Sequence, residues 1–235
     1  MIKISIVIPT YNEKDNLLIL IPKINKVLKS NGLNANVIIV DDNSPDGTGE
    51  IADQLSKKYP LKVIHRPSKL GLGTAHIEGM KKAIEMKSDI IFTMDADLSH
   101  KPEYIPNFIK MLDICDVVIG SRYVKGGRMD SLLHRRIISR GGNLIAKIML
   151  GIKVNDVTTG YRAYKSKVLK QINLNNIDSN GFSFLEEILY LCYKAGFLIK
   201  ETPIIFTNRG HGFSKLGWNE MIKFIFTIFK LRWKS

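Results

Sequence analysis

The chain has 235 residues, 45% of them apolar and 24% charged, with 35 Lys and Arg against 22 Asp and Glu and hence a net charge of +13. With a mean hydropathy of −0.02, this composition excludes intrinsic disorder, collagen and coiled coil, and the length suffices for one large α/β domain with a sizeable core. The longest stretch free of Asp, Glu, Lys and Arg runs over 11 residues, 30–40, well short of the roughly 20 apolar residues that a transmembrane helix needs. Residues 4–9 already form an apolar run, with no basic leader or small-residue cleavage site before it, so no signal peptide is expected. Cys115 and Cys192 stand far apart in different contexts; they are expected to be two buried thiols, not a disulfide or a zinc knuckle.

In chain order, short apolar runs bounded by turn residues predict strands over 4–9, 37–40, 61–65, 90–94 and 117–119. Between them, amphipathic spacing predicts helices over 15–29, 48–58, 73–86 and 102–112. Strand alternating with helix implies a mostly parallel sheet with helices on both faces. After Ser121 the rhythm changes to a basic helix over 133–150, a polar loop, a helix over 182–195, a strand over 198–206, a Gly-rich loop and an amphipathic segment over 218–233. Charge divides unevenly as well: 13 basic and 12 acidic residues up to Asp97, but 22 basic and 10 acidic from Leu98 onward. The second half therefore calls for an anionic partner or a strongly solvated surface.

Open parallel sheets bind ligands at the carboxyl ends of their strands. Three predicted strands end there in polar or acidic groups: Pro9-Thr10-Tyr11-Asn12-Glu13, Asp41-Asp42-Asn43-Ser44-Pro45-Asp46-Gly47-Thr48 and Asp95-Ala96-Asp97. Residues two apart on an extended segment face the same side, so Asp95 and Asp97 can address one hard divalent cation whose remaining ligands are phosphate oxygens. The competing possibility is that Asp97 caps the next helix while Asp95 sits in a turn. Capping accounts for Asp46 or Thr48, but not for two adjacent carboxylates at Asp41 and Asp42, one of which must face the crevice. Gly71-Leu72-Gly73 is a weak phosphate-loop signal and reads better as a turn entering a helix.

The basic half offers a second cluster. Ser121-Arg122-Tyr123 follows the fifth strand, and Arg135, Ser139 and Asn143 fall on one face of the basic helix. Arginine suits bidentate phosphate binding, although a solvated basic face would read the same. Arg209 and Lys215 bracket the Gly-rich loop. No nucleophile-and-base motif or zinc-type histidine cluster is present, and the five histidines are scattered, with only His100 beside the carboxylates.

These segments together resemble the inverting, GT-A-fold family 2 glycosyltransferases, and within them the dolichyl-phosphate (polyprenyl-phosphate) mannosyltransferases. The matching stretches are Ile6-Val-Ile-Pro-Thr-Tyr-Asn-Glu13, Val40-Asp-Asp-Asn-Ser-Pro-Asp-Gly-Thr48, Gly71-Leu-Gly-Thr-Ala75, Met94-Asp-Ala-Asp-Leu-Ser-His100, Gly120-Ser-Arg-Tyr123, Ser139-Arg-Gly-Gly-Asn143, Thr159-Gly-Tyr-Arg162 and the Arg209 to Lys215 segment. The resemblance implies a GT-A catalytic domain over 1–217 and a C-terminal membrane-interfacial or docking helix over 218–235, the alternative for that helix being packing on the domain's own core. It implies transfer of mannose from GDP-mannose to a polyprenyl or dolichyl phosphate with Mg²⁺ or Mn²⁺ as cofactor. Another donor sugar, a different acceptor, or a nucleic-acid or lipid-headgroup module are the rival expectations.

Carried over by residue, the resemblance puts Pro9, Tyr11, Glu13, Val40 and Asp42 around the nucleotide and Asp95, Ala96 and Asp97 at the diphosphate, with Asp95 and Asp97 on the metal. It puts Arg122, Arg209 and Lys215 on phosphates, and Arg122, Arg135 and Ser139 at the acceptor phosphate. Some relatives have Gln at the position of Ser99, and many carry C-terminal transmembrane helices. The expected setting is peripheral, at the cytoplasmic membrane face, on lipid or on a small membrane subunit, with no nucleic-acid partner.

Overall fold

Every residue of β1 (Ile4–Thr10) is buried, as a continuous apolar strand is when both faces of its sheet are covered. In the computed structural model, which describes residues 2–131, 133–177, 179, 181–207 and 218–233 with side chains except at 134, 135, 182 and 218–223, β1 pairs in parallel with β2 (Ala35–Asp41). Strand β3 (Leu61–His65) extends that edge in parallel, and β4 (Ile90–Thr93) pairs in parallel on the other side of β1. The sheet then continues through β5 (Val117–Ser121) and two further strands. A short ladder of β6 (Arg128–Met129) lies apart from it. The strand β7 (Arg162–Lys165) inserts antiparallel between β4 and β5, and β8 (Ile199–Pro203) pairs parallel to β5 at the far edge. The resulting order is β3-β2-β1-β4-β7-β5-β8, with β6 paired to β9 (Ile205–Phe206) in a second sheet.

Helices cover both faces. The alternation of side chains along β1 sends Ile4, Ile6 and Ile8 to one core, shared with Leu17, Leu20 and Ile24 of α1 (Lys14–Ser30), Ala52 of α2 (Thr48–Ser56) and Phe108. Val7 goes to the other core, with Met80 of α3 (Leu72–Glu85) and, further along, Ala146 and Ile188. Phe108 belongs to α4 (Ile105–Met111), Ala146 to α5 (Leu133–Leu150) and Ile188 to α7 (Phe184–Lys194), with the short α6 (Ser166–Gln171) between the last two. Helix α3 lies close on the sheet because residue 79 is Gly: a Cβ there would sit 2.3 Å from Val7 Cγ1. That approach seats the start of α3 at the carboxyl rim of β1 and β2.

The mostly parallel α/β sheet expected from the sequence is present, with differences after Ser121 that include the short β6 and α6. The predicted polar loop after α5 contains β7, four residues with a charge at each end. The predicted strand over 198–206 is two strands, because at Ile204 the chain leaves the edge of β5, donating its amide to Ser121 O and accepting from Arg128 N. Both cysteines are buried and free, as expected, and burial pushes the Cys192 thiol up to about 12.

Helix α8 (Trp218–Trp233) packs Ile228 and Leu231 into the core beside α5 and α7, and leaves Ile225, Phe226, Phe229 and Trp233 exposed. It thus packs on the domain on one side and leaves an apolar face exposed on the other. Helix α5 shows Leu133, Ile137, Ile138, Leu144, Ile145 and Ile148 to the exterior as well. No helix among the described residues is long and apolar enough to cross a membrane.

Beneath α3 and α7 lie several buried polar groups. Arg162 is fully buried and donates to the carbonyls of Thr159, Val157 and Leu185. Burial raises the Glu186 carboxyl to about 8, against the pull of Arg162. Burial, reinforced by Arg162, lowers the His76 imidazole to about 3. As pH climbs above 4.5 the unfolded chain gives up the Glu186 proton while the folded chain keeps it up to about pH 8, so this group's share of stability drains away across that window. His76 acts in the opposite sense, and only below pH 6.5. Glu186→Gln is therefore expected to gain stability over the wild type between pH 6.5 and 8, by up to roughly 1.4 kcal/mol per pH unit, in urea unfolding at each pH. Parallel pH profiles for the two proteins would contradict this.

Candidate active site

The segments leaving β1, β2 and β4 converge on one cleft of about 120 Å³, lined by Pro9, Thr10, Tyr11, Glu13, Asp42, Lys69, Gly71, Leu72, Ala75, Asp95, Ala96 and Asp97. Seven of the residues expected around the nucleotide and diphosphate thus share one wall. Val40 does not. It points to the same side of β2 as Asp42 but one step earlier, so its side chain lies buried in the core, where a Cβ at Gly79 of α3 would meet it at 3.1 Å.

The paired carboxylates at the end of β2 divide by strand alternation. Asp41 turns toward the α2 side, accepting from Thr10 Oγ1 at 3.0 Å and from Ser44 Oγ at 2.6 Å. Asp42 turns to the cleft, where Oδ1 accepts from Arg66 Nη1 and Leu70 N and Oδ2 from Gly71 N, all at 2.8 Å. The Gly71 turn is thereby fastened to the carboxylate, and both Arg66 and Asp42 are buried. Asp46 accepts from the amide and hydroxyl of Thr48 at the start of α2, while the cap position itself is Gly47, in the left-handed region at φ 89°. Lys69 lies over the Tyr11 ring, 3.8 Å from its centroid, a cation on the cleft wall.

After β4, Asp95 and Asp97 both reach the cleft. The Asp95 amide donates to Nδ1 of buried His100 at 3.0 Å, and His100 stacks on Tyr161. Asp97 Oδ1 accepts from the Ser99 amide at 3.1 Å and from its hydroxyl, with Leu98 in the left-handed region at φ 66°. Ser99 therefore supports Asp97 instead of lining the cleft. Among the described residues no group of three or more His, Cys, Asp or Glu gathers to hold a metal. A pair of carboxylates on an open cleft wall fits a hard cation whose coordination is completed by phosphate oxygens, not by a closed protein cage.

Arg122 leaves β5 at the neighbouring rim. Its Nε and Nη2 form a two-pronged pair with Asp156 at 2.8 and 2.7 Å, its backbone amide bonds the same carboxylate, and Nη2 also donates to Thr158 Oγ1. Burial works against the charge, but Asp156 more than offsets it and raises the guanidinium above its usual range; Asp95 acts in the same direction. The loop that carries Asp156 also packs Gly160 on Asp95 Oδ1, within 3.3 Å of a Cβ placed there. On α5, Ser139 accepts from the Tyr123 hydroxyl at 2.6 Å, and Asn143 bonds Ser139 O, Thr158 Oγ1 and Val157 N. The acidic cleft and the Ser139 turn of α5 are thus tied together through Arg122. The Arg135 side chain, Arg209 and Lys215 lie outside the described residues.

Sequence reasoning missed Arg66, Lys69, Asp156 and Thr158. Lys69 stands just before a turn it had noted. The others act through partners 24 to 36 positions away, which leaves no local pattern.

Residues 5–172 match the family model described as glycosyl transferase family 2. The chain belongs to that family. It is 36% identical over 227 residues to a polyprenol monophosphomannose synthase of Mycolicibacterium smegmatis, covering 95% of this chain and 84% of that protein. It is 39% identical over 216 residues to an undecaprenyl-phosphate mannosyltransferase of Micrococcus luteus, covering 91% and 87%. Among solved structures it is similar to glucosyl-3-phosphoglycerate synthase from Mycobacterium tuberculosis in complex with Mn²⁺, UDP and phosphoglyceric acid, with a TM-score of 0.67, 19% identity, and coverage of 98% and 78%. That likeness identifies the GT-A glycosyltransferase fold.

Removing Asp156 leaves a buried guanidinium without its counter-charge. Asp156→Ala is expected to lower stability by roughly 3–5 kcal/mol in urea unfolding; a loss under about 1 kcal/mol would show that solvent takes over the pairing.

Proposed function

We propose that this family 2 glycosyltransferase moves mannose from GDP-mannose to a polyprenyl or dolichyl phosphate, giving the β-linked lipid phosphate mannose. The observation that carries the proposal is the joining, through Arg122, of an acidic nucleotide-type cleft to the Ser139 face of α5. The identity to two named polyprenyl-phosphate mannosyl enzymes over more than nine-tenths of the chain supports it.

In this proposal Pro9, Tyr11, Glu13 and Asp42 hold the nucleoside, and Asp95, Ala96 and Asp97 face the diphosphate. Asp95 and Asp97 hold Mg²⁺ or Mn²⁺, which when bound neutralises charge on the leaving diphosphate. Arg122, Arg209 and Lys215 supply fixed positive charge to the phosphates, and Arg122, Arg135 and Ser139 receive the acceptor. A phosphomonoester has a second pKa of about 6 and is mostly a dianion near neutral pH, so it attacks without a general base; none is needed among Asp95, Asp97 and Arg122. Its oxygen bonds to the anomeric carbon as the bond to the nucleoside diphosphate oxygen breaks on the opposite face, which inverts an α-linked donor to a β-linked product. The remaining demand is to hold two anions close together, and the basic groups around the cleft meet it electrostatically.

The acceptor places the enzyme at a membrane. Exposed apolar side chains of α5 and α8, with Arg136, Arg140, Lys230 and Arg232 among them, suit seating on anionic lipid from the cytoplasmic side. Ser139 lies on the same helix α5, within reach of a headgroup.

The test is transfer of radiolabelled sugar into vesicles holding polyprenyl phosphate and anionic lipid, with Mg²⁺ or Mn²⁺ present. Label from GDP-mannose is expected in the organic extract, with the protein floating alongside the vesicles. Preferential transfer from UDP-glucose would overturn the donor assignment. A floating fraction unchanged by Ile148→Glu together with Phe226→Glu would overturn the membrane face.

A further inference from the structure

The mechanism above leaves two residues of the acceptor side without a task, Tyr123 and Asn143. Tyr123 Oη lies 2.6 Å from Ser139 Oγ and donates to it; of the two hydroxyls the phenol is the stronger acid, so the shared proton is the phenol's. The serine oxygen is then engaged as an acceptor, and the serine's own proton remains to be directed elsewhere. In mid-helix a serine otherwise turns that proton back to the carbonyl four residues earlier.

Asn143, one turn further along, is buried and fixes the backbone of the same turn. Its Nδ2 donates to Ser139 O at 2.8 Å and to Thr158 Oγ1 at 3.2 Å, while Oδ1 accepts from Val157 N at 2.6 Å. Thr158 Oγ1 also receives Arg122 Nη2, and the Tyr123 ring lies 5.3 Å from the Arg122 guanidinium and 5.7 Å from that of Arg140. The hydroxyl pair therefore stands beside two guanidiniums, that of Arg122 paired with Asp156, on a turn held from both sides.

We infer that Tyr123 is a positioning residue of the acceptor site: its phenol engages Ser139 so that the serine hydroxyl is presented, proton outward, to the phosphate of the acceptor. This rests on the acceptor reading above. It assigns Tyr123 an effect on lipid-phosphate affinity that acts only through Ser139, with none on the nucleotide.

The experiment is calorimetric titration of the full chain, as wild type, Tyr123→Phe, Ser139→Ala and the double variant, with a short-chain polyprenyl phosphate and, separately, with GDP and Mg²⁺. Each single variant is expected to weaken lipid-phosphate binding about tenfold, the scale of one hydrogen bond to a charged group. The double variant is expected to bind no more than about twofold more weakly than Ser139→Ala alone, as for groups that act as one unit. GDP affinity is expected to stay within about twofold in all four. Unchanged lipid-phosphate affinity in Tyr123→Phe, additive losses in the double variant, or a parallel loss of GDP binding would each overturn the inference. A wild type that binds GDP but not the lipid phosphate would instead overturn the acceptor reading, and this inference with it.

Discussion

Two buried guanidinium–carboxylate pairs, Arg66 with Asp42 and Arg122 with Asp156, hold the working rim of this protein in place. Neither pair is a source of net stability in the way that a patch of Leu and Ile is, because desolvating both charges offsets much of their attraction. What such pairs fix is position. Asp42 can accept three hydrogen bonds only if the Gly71 turn comes to it, and that turn starts α3, which lies flat on β1 because residue 79 has no side chain. Asp156 can satisfy Arg122 only if the loop from α5 into β7 passes the end of β5, and the same loop brings Gly160 against Asp95. The rims at the ends of β2 and β5 are therefore set by two ion pairs and the short loops they anchor.

That arrangement resolves the apparent conflict in the charge pattern. A strongly basic second half and an acidic strand-end rim meet in the fold, where the loop that pairs Asp156 with Arg122 also packs Gly160 on Asp95. In the proposed reaction the acidic rim takes a cation-bound diphosphate and the Arg122 side takes a second phosphate. Helix α5 belongs to both the site and the surface: Ser139 and Asn143 face the Arg122 loop, while Ile137, Ile148 and their neighbours face outward. The proposed function thus needs one helix to serve both the lipid surface and the site.

Much of this was legible in the sequence because it rests on short-range periodicity. The two-residue repeat of an extended chain places Asp95 and Asp97 together and separates Asp41 from Asp42. The helical repeat aligns Ser139 with Asn143. The same repeat, read without depth, misled over Val40, which shares the side of Asp42 but is roofed by α3. Strand β7 escaped detection because its four residues begin with Arg and end with Lys, and the burial of Arg162 is possible only through carbonyls supplied by the 157–159 loop and by α7. Arg66 and Asp156 carried no sign of their importance, since each is defined by a partner far along the chain.

The most direct measurement is GDP binding by calorimetry with and without Mn²⁺, in the wild type and in Asp97→Asn. If Asp95 and Asp97 grip a cation-bound diphosphate, Mn²⁺ tightens GDP binding at least about tenfold in the wild type, as expected of metal-bridged phosphate, and Asp97→Asn loses that gain. Equal affinity with and without Mn²⁺, or a gain that survives in Asp97→Asn, would contradict it.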